Sequence, residues 1–379
     1  MEFPIGYRSF HSNTFLNYQF NRWHALGLLT EERIARVAKK TKRFSDYVAG
    51  FELLARISED HGQYEQAAFA HRAAEFLLPP DDPSKILTYQ TFRKDLGLAW
   101  EKKPQKVLSI PYAGAHLHAY RYPAAKPQKG RLLVMGGFDS LIEEFTGIWS
   151  GLAKAGYEVV AFEGPGQGGT LRLGGLTFDH DYEKPVAAAL DYLGWPGAGL
   201  IGLSMGGYWA LRAAAFEPRI KQVIAAPPVY DWLERTHRFN RWLVRVLMPQ
   251  RRLMNVLIRQ KMRVPTLNHA IKQACFISGG KKPIDAVDWM LGMHQRHLQS
   301  ELVKQDVLLL GGANDAFQPI ILLEKQATAL TNARSISRRI FSAAEHADQH
   351  CQMGNIELLV RTMVSWLHQH HNDRVQTTY

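Results

Sequence analysis

The feature that most constrains the fold is a series of short apolar runs, each closed by a turn signal. From Lys106 onward they read "RLLVMGG", "YEVVAFEGPGQG", "GLIGLS", "QVIAAPP", "DVLLLGGAND" and "SISRRIF". Helical periodicity fills the intervals between most of them. Short apolar strands alternating with helices predict an α/β fold, a mostly parallel sheet covered by helices on both faces. Ahead of the runs, "KVLSIPYAGAHLHAYRYP" alternates and turns as a hairpin does.

Two segments fall outside this rhythm. Residues 1–105 show only helical spacing and no catalytic motif. "EERIARVAKKTKRFSDYVAGFELLARISEDHG" keeps that spacing as far as Gly62. "YEQAAFAHRAAEFLL" carries an Ala-rich face that lets helices approach closely, and "SKILTYQTFRKDLGLAW" adds another helix. The second segment, 229–305, has helical periodicity and no strand. A structureless loop of that length is improbable, so a helical lid over the sheet is expected. The expected organisation is a helical cap or oligomerisation region over 1–105, then a sheet domain over 106–379 interrupted by the lid. A chain of 379 residues has ample length for both.

The charge is uneven. The formal net charge is +11, and between Arg235 and Ile284 there are twelve Lys or Arg and no Asp or Glu. Such a stretch either faces solvent or docks an acidic partner. No nucleic-acid module is present, which sets that partner aside. Trp232, Phe239, Trp242, Leu243, Leu247 and Leu257 are expected to turn toward the sheet. The two cysteines, Cys275 and Cys351, lack metal or redox spacing. No secretion signal opens the chain and no run is long enough to span a membrane, so a reducing cytoplasm is the default expectation.

Chemistry concentrates in "GLIGLSMGGYWALRAAA". Gly202-x-Ser204-x-Gly206 sits between an apolar strand and a helix, the context of a nucleophile elbow. Glycines on either side let the backbone crowd together and project the serine. A serine needs a base, and the base an orienting acid, in the chain order Ser, acid, His. Asp315, in the turn after "DVLLLGG", fits the acid, with a helix-capping role as the lesser alternative. Spacing leaves His346 and His350 both open as the base. His294, His297, His368, His370 and His371 are expected at the surface. Backbone N–H groups of Met205 and Phe138 are expected to form the oxyanion hole, with Gly136 and Gly137 turning the second loop. Asp139 reads as a brace of that loop. "FEGPGQGGT" lacks a phosphate-loop pattern and reads as a structural turn. No metal or cofactor is called for.

"GGFDSLIEE", "FEGPGQG", "GLSMGGYWALRAAAFEPRI", "GGANDAFQP" and "HCQMGN" occur in this order. The ordered set resembles a group of α/β-hydrolases. The group includes dihydroxypseudooxynicotine hydrolase, fungal hydrolases that shorten a heptaketide naphthopyrone, and bacterial enzymes that shorten aromatic polyketides in anthraquinone pathways. "AAFAHRAAEFLL" also looks like the helical cap of that group, so the resemblance spans nearly the whole chain. It implies an α/β-hydrolase fold. It places the histidine just before "CQ-x-G-N", which selects His350, and carries Ser204 and Asp315 over as nucleophile and acid. It implies retro-Claisen cleavage of a carbon–carbon bond beside a ketone, with an aromatic polyketide as substrate, free or on a carrier protein. Gly137, Trp232 and Phe239 are then expected at the substrate, and a homodimer as the assembly. The competing expectations are a carboxylester or thioester hydrolase with the same residues, and a non-catalytic scaffold for an acidic partner.

Overall fold

The computed structural model describes residues 2–376. Five helices come first: α1 (Thr14–Ala25), α2 (Glu31–Lys40), α3 (Phe44–Asp60), α4 (Tyr64–Leu77) and α5 (Ser84–Trp100). The single helical run expected up to Gly62 is broken between α2 and α3. The cause is local side-chain bonding. Thr41 Oγ1 donates to the Val37 carbonyl (3.0 Å), and the Asp46 carboxylate accepts the N–H groups of Lys42 (3.0 Å) and Arg43 (2.9 Å). The small residues of α4 pack as expected: Ala67, Ala68, Ala70, Ala73 and Ala74 are all fully buried.

The hairpin and all six apolar runs form strands: β1 (Lys106–Tyr112), β2 (Ala115–Tyr122), β3 (Gly130–Met135), β4 (Tyr157–Phe162), β5 (Ala198–Leu203), β6 (Ile220–Ala226), β7 (Asp306–Gly312) and β8 (Ser335–Phe341). They make one eight-stranded sheet in the order β1-β2-β4-β3-β5-β6-β7-β8. The β1–β2 and β2–β4 pairs are antiparallel and the remainder parallel. Helices α6 (Thr146–Lys154), α7 (Gly168–Arg172), α8 (Glu183–Leu193) and α9 (Gly206–Phe216) lie between these strands.

Successive residues of the central strands feed opposite cores, as the strand period of two requires. Leu132, Val134, Ile201 and Leu203 join Trp23, Phe51 and Phe69 of the N-terminal helices on one face. Leu133, Met135 and Leu200 join Tyr182, Trp209 and Trp289 on the other.

Only helices separate β6 from β7: α10 (Arg238–Leu247), α11 (Arg251–Lys261), α12 (Pro265–Ser278), α13 (Pro283–Gly292) and α14 (Gln295–Leu298), besides single turns. Here the expected packing fails in part. Phe239 is 62% exposed and Trp242 57%, Leu243 is exposed, and no residue of α10 is buried. Arg241 and Lys325 both pair with Glu234, which pins one side of α10 to the body. Phe239, Leu243 and Val246 lie about 140–160° from Arg241 on the helical wheel and Trp242 about 100° from it, and all four face out. Trp232 does pack on the core, half-buried, with Arg235 stacked 4.5 Å above its ring. The chain closes with α15 (Ile320–Ala329) and α16 (Ile356–Gln376). No helix among the described residues is long and apolar enough to cross a membrane.

Candidate active site

Ser204 stands at the corner between β5 and α9 with φ +57°, a left-handed conformation costly for a residue with a Cβ. Its N–H donates to the Ala226 carbonyl at the end of β6 (2.8 Å). The flanking glycines are there for space. A Cβ on Gly202 would lie 1.9 Å from the Gly206 carbonyl oxygen, and one on Gly206 would lie 2.5 Å from that of Gly136.

Three side chains from three loops meet at this corner. Ser204 Oγ and His350 Nε2 are 2.8 Å apart, and His350 Nδ1 lies 2.7 Å from Asp315 Oδ2. Because the carboxylate can only accept, Nδ1 carries the proton and Nε2 accepts from the serine. The helix-capping reading of Asp315 fails, since α15 begins at Ile320 behind Pro319 with no side-chain cap. Asp315 Oδ1 instead ties the turn by accepting from Phe317 N and Gln318 N, each at 2.8 Å, while Oδ2 faces the ring. His346 lies apart, exposed and at positive φ. Burial disfavours a charged His350 ring, but Asp315 and then Cys351 outweigh it and raise the ring well above its ordinary value.

The loop after β3 closes over the serine. A Cβ on Gly137 would sit 2.7 Å from Ser204 Cβ. Gly137 N donates to Ser140 Oγ (2.7 Å), whereas Phe138 N and Met205 N donate to no backbone acceptor outside helices and strands among the described residues. Sequence reasoning missed the clamp on this loop. Gln167, in the presumed structural turn "GPGQG", donates from Nε2 to the carbonyls of Gly136 (3.2 Å) and Gly137 (3.0 Å). Its Oε1 accepts from Gly164 N (2.9 Å) and from the Tyr182 hydroxyl. Holding the Gly137 carbonyl on Gln167 turns the Phe138 N–H of the same trans peptide to the opposite side.

The N-terminal helices brace the same loop. Glu144, wholly buried, accepts from Arg22 Nε (2.9 Å), Arg72 Nε (2.8 Å) and Leu141 N (2.9 Å). Arg72 also donates to the Asp139 carbonyl and pairs with Glu75. Burial alone would raise the Glu75 carboxyl, but Arg172, Lys85 and Arg72 hold it well below the carboxylate range. Tyr18 of α1 donates to the His350 carbonyl (3.3 Å), and its ring meets Phe317 at 5.0 Å. Trp289 of α13 covers Phe138 from the insertion side, with ring centres 5.6 Å apart. Four of the histidines expected at the surface, His294, His297, His368 and His370, are half-buried instead, and the side chain of His371 lies outside the described residues. His294 Nδ1 accepts from His297 N (3.2 Å), and the His297 ring bonds Tyr208 (3.0 Å) and Asp181 (3.2 Å).

A mostly parallel sheet with a serine on the β5–α9 corner, and an acid and a histidine after later strands, defines an α/β-hydrolase. More narrowly, residues 126–351 match the family described as "Serine aminopeptidase, S33" (Hydrolase_4), and the chain belongs to it. It is 34% identical over 225 residues to hydrolase acrC of Aspergillus aculeatus, covering 49% of this chain and 52% of that one. It is 35% identical over 207 residues to the 20-hydroxy-prefusarin hydrolase FUS2 of Gibberella moniliformis, covering 48% of each. The chain thus spans about half the length of these relatives. Among solved structures, the 2,6-dihydroxy-pseudo-oxynicotine hydrolase has the same fold, with TM-score 0.66 at 18% identity, over 92% of this chain and 94% of that one. The family that the ordered motifs resemble is thus met both in sequence and in fold.

Proposed function

We propose that this hydrolase cleaves a carbon–carbon bond beside a ketone and so shortens an aromatic polyketide. The reading rests first on the continuous Ser204–His350–Asp315 hydrogen-bond chain beneath the Gly137 loop. The choice of a ketone rests on the resemblance of the ordered motifs.

Ser204 Oγ attacks the carbonyl carbon as its proton passes to His350 Nε2. Asp315 steadies the resulting imidazolium. The oxyanion accepts from Phe138 N–H and Met205 N–H. Collapse breaks the bond to the α-carbon, whose electron pair leaves as an enolate or phenolate-type anion. His350 Nε2–H protonates that carbon. Water, deprotonated by His350, then clears the acyl-serine as a carboxylic acid. The balance is one water consumed, one acid and one shortened ketone or arene formed.

Mass spectrometry of products from an aromatic β-polyketone tests this. The expected result is a short carboxylic acid with the matching shortened product. Cleavage of aryl esters alone would identify an ester hydrolase instead. The run of Arg and Lys without Asp or Glu over 235–263 supports presentation of the substrate on an acidic carrier protein. Turnover of carrier-bound substrate should then fall with salt, and salt-independent turnover would refute docking.

A further inference from the structure

Away from the active site, three helices each aim one metal-binding side chain at a single point. Glu59 comes from the end of α3, His71 from α4 and Asp95 from α5, and their donor atoms all lie within 4.8 Å of one another. We propose that Glu59, His71 and Asp95 bind one divalent ion of the zinc class, joining α3, α4 and α5.

The spacing fits. His71 Nε2 is 3.0 Å from Glu59 Oε1 and 3.8 Å from Asp95 Oδ2. Ligands ~2.0–2.2 Å from a tetrahedral zinc stand roughly 3.3–3.6 Å apart, between those two values. Burial fits as well. The Asp95 side chain is 3% exposed and its Oδ2 has no hydrogen-bond partner. A buried carboxylate oxygen without a partner is expensive.

Charge makes the same point. Two carboxylates face one imidazole, and no Lys or Arg among the described residues forms an ion pair with either. Lys94 acts on both only at a distance. A divalent ion with a neutral His71 balances the site. Glu59 and His71 keep partial exposure, 31% and 12%, which leaves an opening for entry and for water as a fourth ligand.

The test is Zn2+ titration of the full chain after chelator treatment, followed by calorimetry, with Co2+ absorption as a second readout. One ion per chain, tetrahedral Co2+ bands and a raised Tm are expected. His71→Ala and Asp95→Asn should each weaken binding ~10-fold or more, whereas His350→Gln should leave it unchanged. If His71→Ala fails to fold, Asp95→Asn, which keeps the shape of the side chain, carries the test. Absence of binding, meaning that a shared proton alone balances the cluster, overturns the proposal. So does binding that survives Asp95→Asn, or that is lost in His350→Gln.

Discussion

Gly137→Ala isolates the loop over Ser204 from the hydrogen-bonded chain beneath it. The new Cβ would sit 2.7 Å from Ser204 Cβ and 3.1 Å from both Leu203 O and Ser204 Oγ, where ordinary contact begins at 3.4 Å. Something must give by roughly 0.5–1 Å, a displacement that can cost ~10²-fold at a reacting centre. The serine corner is the stiffer side. Ser204 N is tied to Ala226, and Gly206 already backs onto Gly136. The loop therefore retreats and takes the Phe138 N–H with it. Losing one oxyanion donor costs ~10²–10³ in kcat, or about 2.7–4 kcal/mol. The added methyl should also cost ~1–3 kcal/mol of stability. Steady-state kinetics on an aryl ester, with a thermal melt, measure both. A fall in kcat of about 100-fold at nearly unchanged KM is expected from a folded variant. A folded variant with kcat within about threefold of wild type would show that Phe138 N–H is not an oxyanion donor.

The base must be neutral, so activity is lost as pH falls through the raised His350 value, and the acid limb should lie above the ordinary ~6.5. Asp315→Asn removes the charge that raises it. A pH–rate profile should show that limb moved to lower pH, with kcat down ~10⁴-fold. Glu144→Gln leaves Arg22 and Arg72 buried with one negative charge fewer. Chemical denaturation should report a loss of ~3–5 kcal/mol. His269 is buried beside the rings of Phe76 (5.4 Å) and Phe15 (5.9 Å), and burial lowers it to about 4. Its unfolded form binds a proton below ~6.5 while the folded form stays neutral, so stability falls between those two pH values by up to about 3 kcal/mol. His269→Phe should flatten that loss in urea melts at pH 7 and 4.5, and an unchanged difference between the two would refute it.

What was legible in the sequence follows from the range of the forces involved. The inner strands announced themselves because a sheet covered on both faces demands near-continuous apolar runs, whereas β1, β2 and β8 show broken, alternating burial. The elbow was legible because glycines 202 and 206 answer local crowding. Asp315 was found as a turn residue, and tying that turn is compatible with facing the histidine because its two oxygens divide the tasks. Spacing could not separate His350 from His346. The loop folds back through positive φ at His346, Cys351 and Gln352, which no periodicity encodes. The break before Phe44 rests on one carboxylate accepting two N–H groups. The braces were hidden by distance along the chain: Arg72 meets Glu144 across 72 residues, and Arg22 meets it across 122. Charged residues inside "AAFAHRAAEFLL" were the one available signal, since an Arg or Glu within an apolar helix needs a buried partner. Phe239 misled because an apolar helical face normally turns inward, and here Glu234 holds the opposite face.

The central claim is that Ser204 opens a carbon–carbon bond through an acyl-serine. Wild type and Ser204→Ala incubated with an aromatic 1,3-polyketone in H2¹⁸O test it most directly. The wild type is expected to release a short carboxylic acid carrying one ¹⁸O, and the variant to do so at a rate at least ~10⁴-fold lower. An intact polyketone under conditions where aryl esters turn over, or equal release by the variant, would contradict it.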